Sequence, residues 1–187
     1  MIAAGERNRA HSAERSAADV LIVGCGCPHR RDDQIGLRVA EVFRERPIPG
    51  ARVLESQAPG ADLLAELADV GLLVIVDAAK RPGKHPVGYY RRWIVPSPET
   101  PACRSMLSEW SGGGAASSHL LSVCDALCLG EQLGLLPPEV WMYAIAVEDC
   151  GYGDALSESL RSKIDELAAA VRRDIEMWRP TPGAADA

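Results

Sequence analysis

Two acids stand side by side at Asp32-Asp33, just ahead of a helical periodicity that begins near Gln34. Such a pair has an ordinary use, since Asp caps helices and its charge complements the helix dipole. Capping accounts for one of the two and leaves the other for different work. The amino end of a helix would keep that spare carboxylate ionised, as a metal ligand must be. A third acid, Asp77, closes the apolar run Leu72 to Val76. In open α/β sheets ligands gather outside the carboxyl ends of strands, which is where this acid is predicted to lie. His119 is the only histidine at the start of a predicted helix; His29 and His85 fall in loops and His11 in a tail. Two carboxylates and one imidazole, with coordination positions left over, suit a borderline divalent ion. Gly151-Tyr152-Gly153-Asp154 follows the last predicted strand, next to Glu148 and Asp149, and would shape the mouth of a cleft on the same edge.

Other chemistries fit less well. Gly24-Cys25-Gly26 follows the first predicted strand, but a dinucleotide fingerprint needs glycine where His29 stands, so a tight turn is the better reading. Cys25-x-Cys27 and Cys124-x3-Cys128 lack structural-zinc spacing, and the second pair lies on the apolar stripe of its helix, as core thiols do. There is no convincing Ser-His-Asp or Cys-His arrangement and no H-E-x-x-H helix.

The elements that must position these residues follow from hydrophobic patterning. The 187 residues are 47% hydrophobic and 25% charged with a net charge of −6, which fits one soluble globular domain and argues against a nucleic-acid partner. No apolar run reaches the roughly 18 residues of a membrane span, and residues 1–18 lack a secretory apolar core. Six cysteines without an export signal point to reduced thiols and a cytoplasmic location. Strands are expected at Val20 to Val23, Arg52 to Leu54, Leu72 to Val76, Val87 to Val95 and Val140 to Val147. Helices are expected at Ile35 to Phe43, Leu63 to Leu67, His119 to Gly130, and from a Ser157 cap through Leu160, Ile164, Leu167, Val171 and Ile175 to Trp178. The turn Arg81-Pro82-Gly83-Lys84 between two strands predicts a hairpin with an antiparallel edge strand, and Pro96 to Ser118 reads as a long loop, of a length that is usually functional or mobile. The order βαβαββαβα predicts one α/β domain over 19–178, between loose tails at 1–18 and 179–187.

Read in order, these pieces resemble the hydrogenase maturation endopeptidases. The residues that carry the likeness are Gly24-x-Gly26, then Asp32-Asp33-x-Ile35-Gly36 opening a helix, Leu73-Val74-Ile75-Val76-Asp77-Ala78, Ser118-His119-Leu120, and Tyr143 to Leu156 ending in Asp154-Ala155-Leu156-Ser157. The resemblance runs from about Asp19 to Trp178. It implies a three-layer α/β/α sandwich around a mostly parallel, twisted sheet of about five strands. The implied activity is that of an aspartic-type endopeptidase, which removes the C-terminal peptide from the large-subunit precursor of a [NiFe] hydrogenase. Nickel would arrive bound to that precursor, contacted by Asp33, Asp77 and His119, with Asp33 and Asp77 also catalytic and no cofactor held tightly by the protein itself. Cys27, Gln57, Glu148 and Tyr152 would face the substrate. Three positions depart from the pattern: Cys27 stands for the common Asn, Glu55-Ser56-Gln57-Ala58 for Asp-Gly-Gly-Thr, and Gln34 for Gly. A rival reading uses the same three ligands without hydrolysis, in a metallochaperone or docking factor for the metal-loaded precursor.

Overall fold

The strands sort themselves by how much of each must be hidden. β3 (Val70–Lys80) and β5 (Glu139–Val147) are apolar on both faces and almost wholly buried, so they occupy interior positions. β2 (Ala51–Ser56) and β4 (Tyr90–Ile94) carry charges and lie at the edges. With β1 (Asp19–Cys25) the sheet order is β2-β1-β3-β5-β4, parallel throughout except for the antiparallel pair of β4 and β5. This computed structural model describes residues 19–80, 85–95 and 118–178. The expected tails, the 81–84 turn and the loop at 96–117 lie outside the described residues.

The expected hairpin is not formed. β4 is an antiparallel edge strand, but it pairs with β5 rather than with β3. Both flanks of β3 are taken by β1 and β5, and the polar Tyr-Arg-Arg-Trp-Ile segment would waste an interior place that β5 fills with buried side chains.

Helices cover both faces and complete the three-layer sandwich. α1 (Ile35–Glu45) and the last helix, α5 (Ile164–Met177), pack on one face, where Phe43 and Val171 meet Ile22, Val74 and Tyr143. α2 (Ala61–Ala65) and α3 (Ser118–Gln132) cover the other, where Leu63 and Leu127 meet Val23, Ile75 and Met142. Cys124 is buried in that second core and Cys128 half-buried beside it. No helix among the described residues is long and apolar enough to cross a membrane.

The final helix is interrupted. A short α4 (Glu158–Arg161) precedes α5, and at the break Lys163 lies against Gly88. Leu160, Leu167, Val171 and Ile175 still point into the core, so the apolar period survives the interruption.

Candidate functional site

β1 is followed by α1 on one face of the sheet, while its neighbour β3 is preceded by α2, and followed after β4 by α3, both on the opposite face. In open α/β sheets the carboxyl side of two strands whose helices lie on opposite faces is the place where ligands are taken. Asp33 and Asp77 both lie there, one in the connection leaving β1 and the other in β3.

Asp77 does not end its strand, as the sequence suggested. β3 continues to Lys80, with Asp77 opposite Ala144 of β5. β1 stops earlier, its last pair with β3 being Gly24 opposite Val76. Asp77 is therefore the first residue of β3 with no β1 neighbour in the ladder. Side chains alternate along a strand, so Asp77 shares the face of Leu73 and Ile75, the face covered by α2 and α3. It is 1% exposed, and its Oδ1 accepts a hydrogen bond from the Ala78 N–H at 2.8 Å. Beside it lies Cys25, whose thiol pKa is driven well up by burial first and by the Asp77 charge second.

Asp33 reaches the rim through a 3₁₀ turn, Arg31–Gln34, that packs against β3. Gly26 makes this possible: a Cβ there would stand 2.3 Å from the carbonyl oxygen of Asp33. Asp33 is 5% exposed, and its Oδ2 accepts the Cys27 N–H at 3.0 Å. Cys150 lies in its field. Burial and then the Asp33 charge raise that thiol to about 11.

Neither acid of the pair caps its own helix, contrary to expectation. Asp32 turns instead to the far end of the chain. Its carboxylate accepts the Ser157 N–H at 2.7 Å, the Ser157 hydroxyl at 3.1 Å and the Asp149 N–H at 3.3 Å. Ser157 does occupy the N-cap position of α4, but its hydroxyl serves Asp32 rather than the helix. Arg30 donates to the Cys150 carbonyl, and Arg31 donates to the Tyr152 carbonyl and the Asp149 carboxylate. His29 Nδ1 lies 2.5 Å from Asp154 Oδ1 at the surface. The loop after β1 and the loop after β5 are thus tied into one unit.

The other expected contact residues fall on the same rim. Cys27 is half-buried just past β1, Gln57 is exposed just past β2, and Glu148 is exposed just past β5. Tyr152 is 87% exposed, with the Arg30 guanidinium 5.6 Å from its ring centre. The backbone of His119 opens α3; its side chain lies outside the described residues. Among the described residues no three His, Cys, Asp or Glu side chains are grouped to hold a metal ion.

The sequence reading missed the role of Asp32 and the cross-loop arginines. A second acid beside Asp33 was a visible signal, because one cap needs only one carboxylate. Arg30 and Arg31 left none, since their partners, two backbone carbonyls and the Asp149 carboxylate, are about 120 residues away.

No family profile and no curated protein matches the chain. Solved structures do. The hydrogenase maturating endopeptidase HybD from E. coli superposes with a TM-score of 0.70 at 20% identity, over 84% of this chain and 92% of that one. The [NiFe] hydrogenase maturation protease HybD from Thermococcus kodakarensis gives 0.65 at 20% identity, over 84% and 99%. The HycI maturation protease from Thermococcus kodakarensis gives 0.59 at 20% identity, over 85% and 93%. Across nearly their whole lengths, this chain has the α/β fold of those proteases.

Proposed function

We propose that the chain is a processing endopeptidase of hydrogenase maturation, which removes the C-terminal peptide from the nickel-loaded large-subunit precursor of a [NiFe] hydrogenase. The observation that carries this reading is that two buried carboxylates, Asp33 and Asp77, stand at the carboxyl side of the sheet where the strand order reverses. The shared fold and the ordered motifs around both acids support it.

In this reading Asp33, Asp77 and His119 grip the nickel that the precursor brings, and the grip fixes the scissile bond beside them. An aspartate of the pair takes a proton from a water molecule as its oxygen adds to the peptide carbonyl. The same group then returns the proton to the departing amine as the C–N bond breaks. Burial suits both acids to the work, because charge interactions strengthen where water is excluded. Cys27, Gln57, Glu148 and Tyr152 form the rim against which the precursor rests. Recognition through the metal makes the reaction a checkpoint, since an unloaded precursor offers nothing to grip.

The test is mass spectrometry of nickel-loaded and nickel-free precursor after incubation with wild type, Asp33→Asn and Asp77→Asn. Wild type is expected to shorten only the loaded form, and either substitution to lower kcat/KM by about 100-fold or more. Equal cleavage of both precursors, or full activity of both variants, would overturn the reading. A precursor that binds but keeps its mass would instead mark a non-hydrolytic docking factor or metallochaperone.

A further inference from the structure

We infer that Asp32 is the positioning residue of this site: by clamping the loop after β5 onto the turn after β1, it holds the Asp33 carboxylate in place. The inference rests on reading Asp33 as a site carboxylate. Asp32 is fully buried and accepts three hydrogen bonds, all from residues 117 or 125 positions away. Its own N–H donates to the Asp149 carbonyl at 2.9 Å, so the residue grips the distant loop with backbone and side chain together. None of these hydrogen bonds comes from a basic side chain.

A sealed carboxylate is a demanding way to join two loops, because its charge must leave water. What it offers over an amide is two acceptor oxygens and no donor, which matches three converging N–H and O–H groups. An Asn in its place would turn an NH2 group toward at least one of those donors.

The turn that Asp32 clamps is under strain. His29 has φ 65° and Arg31 has φ 39°, both in the left-handed region that side chains with a Cβ rarely enter. Such conformations persist when the surroundings over-determine them, and they cluster at functional sites. Here the surroundings are the loop after β5: Arg31 N–H donates to the Gly153 carbonyl, and Gly153 N–H donates to the His29 carbonyl, both at 2.8 Å. Loosening the clamp lets the turn relax, and Asp33 belongs to that turn.

The structure supplies a local reporter. The Cys27 N–H donates to Asp33 Oδ2, so its exchange with solvent reads where that carboxylate stands, whether or not substrate is present. The experiment measures amide exchange by NMR and cleavage of nickel-loaded precursor. It compares wild type, Asp32→Asn, Ser157→Ala, the double variant, and Asp33→Asn as the reporter's control. It is run where circular dichroism shows every protein folded. Asp32→Asn is expected to speed Cys27 exchange about tenfold or more, while Val23 and Ile75 in the strands keep their protection. It is also expected to lower kcat by roughly 30-fold with little change in KM. Ser157→Ala should have a smaller effect of the same kind, and the double variant should be no worse than Asp32→Asn, because both act through one clamp.

Unchanged Cys27 exchange in Asp32→Asn overturns the inference, whatever the activity. So does a uniform loss of protection across the strands, which would make Asp32 a general stabiliser, and so does a double variant whose losses multiply. If wild type leaves the precursor intact while Cys27 responds as expected, the clamp stands and the protease reading falls.

Discussion

Burial, and after it the charges of Asp77 and Asp33, raises the pKa of the Cys25 and Cys150 thiols, and that shift bears on which groups at the rim could attack a substrate. Burial and the Asp77 charge keep Cys25 protonated, and burial and the Asp33 charge do the same at Cys150. A protonated thiol is a poor nucleophile, which argues against either cysteine as an attacking group. Cys150→Ser is expected to retain cleavage of the loaded precursor within about threefold, and a loss as large as that of Asp33→Asn would contradict this. The same shifts govern stability at high pH. The folded chain holds the Cys150 proton more tightly than the unfolded chain, whose thiol titrates near 9.0, against about 11 when folded. This contribution is present below pH 9 and is lost as the pH climbs toward 11. The melting temperature should therefore fall across that window, and less steeply in Cys150→Ala; an unaltered slope would show that the thiol contributes nothing.

At the scale of elements, two glycines set how closely α1 approaches the sheet. A Cβ on Gly36 would stand 2.3 Å from the carbonyl oxygens of both Cys25 and Val76, and one on Gly24 would stand 2.3 Å from the Gly36 carbonyl. These obstacles are backbone atoms, which cannot rotate away as a side chain would. Gly36→Ala should destabilise the fold by about 3 kcal/mol or more, read from urea unfolding. Because α1 follows directly on the turn bearing Asp33, any variant that folds should also lose cleavage. A stable and fully active Gly36→Ala would mean that this close approach does not set the rim. On the same face, at the β4 edge, β4 is fastened to α5 through Arg92, which pairs with Asp174 at 3.0 Å. The same Asp174 accepts the Tyr143 hydroxyl at 2.7 Å. That cluster anchors an edge strand and lies on the face opposite Asp77.

For the whole molecule, the candidate site residues gather on one side. The carboxyl ends of the four parallel strands carry Cys27, Asp33, Gln57, Asp77 and Glu148, with Tyr152 standing out beyond them. If the nickel belongs to the substrate, the protein alone should not retain it. Equilibrium dialysis of the purified chain against nickel is expected to leave substoichiometric metal, and mixing with loaded precursor should give a complex that Asp77→Asn weakens. A stoichiometric ion retained by the isolated chain would contradict the checkpoint and point to a resident metal.

The strands, the helices and the positions of the acids along them were legible in the amino-acid order because they are local, although β3 runs three residues past Asp77 to Lys80. Hydrophobic period and turn residues act over a few positions, and they were enough to locate β1, β3 with its Asp77, β5 and the loops that bear Asp33 and Tyr152. Pairing was not legible. Whether β4 sits beside β3 or β5 depends on which strand has more apolar surface to hide, a comparison among segments far apart in the chain. The same holds for Asp32, which looked like a cap for the helix beside it and instead holds Ser157, 125 residues on. A buried carboxylate takes whichever donors the tertiary structure brings within reach, so its role was settled when the two loops met.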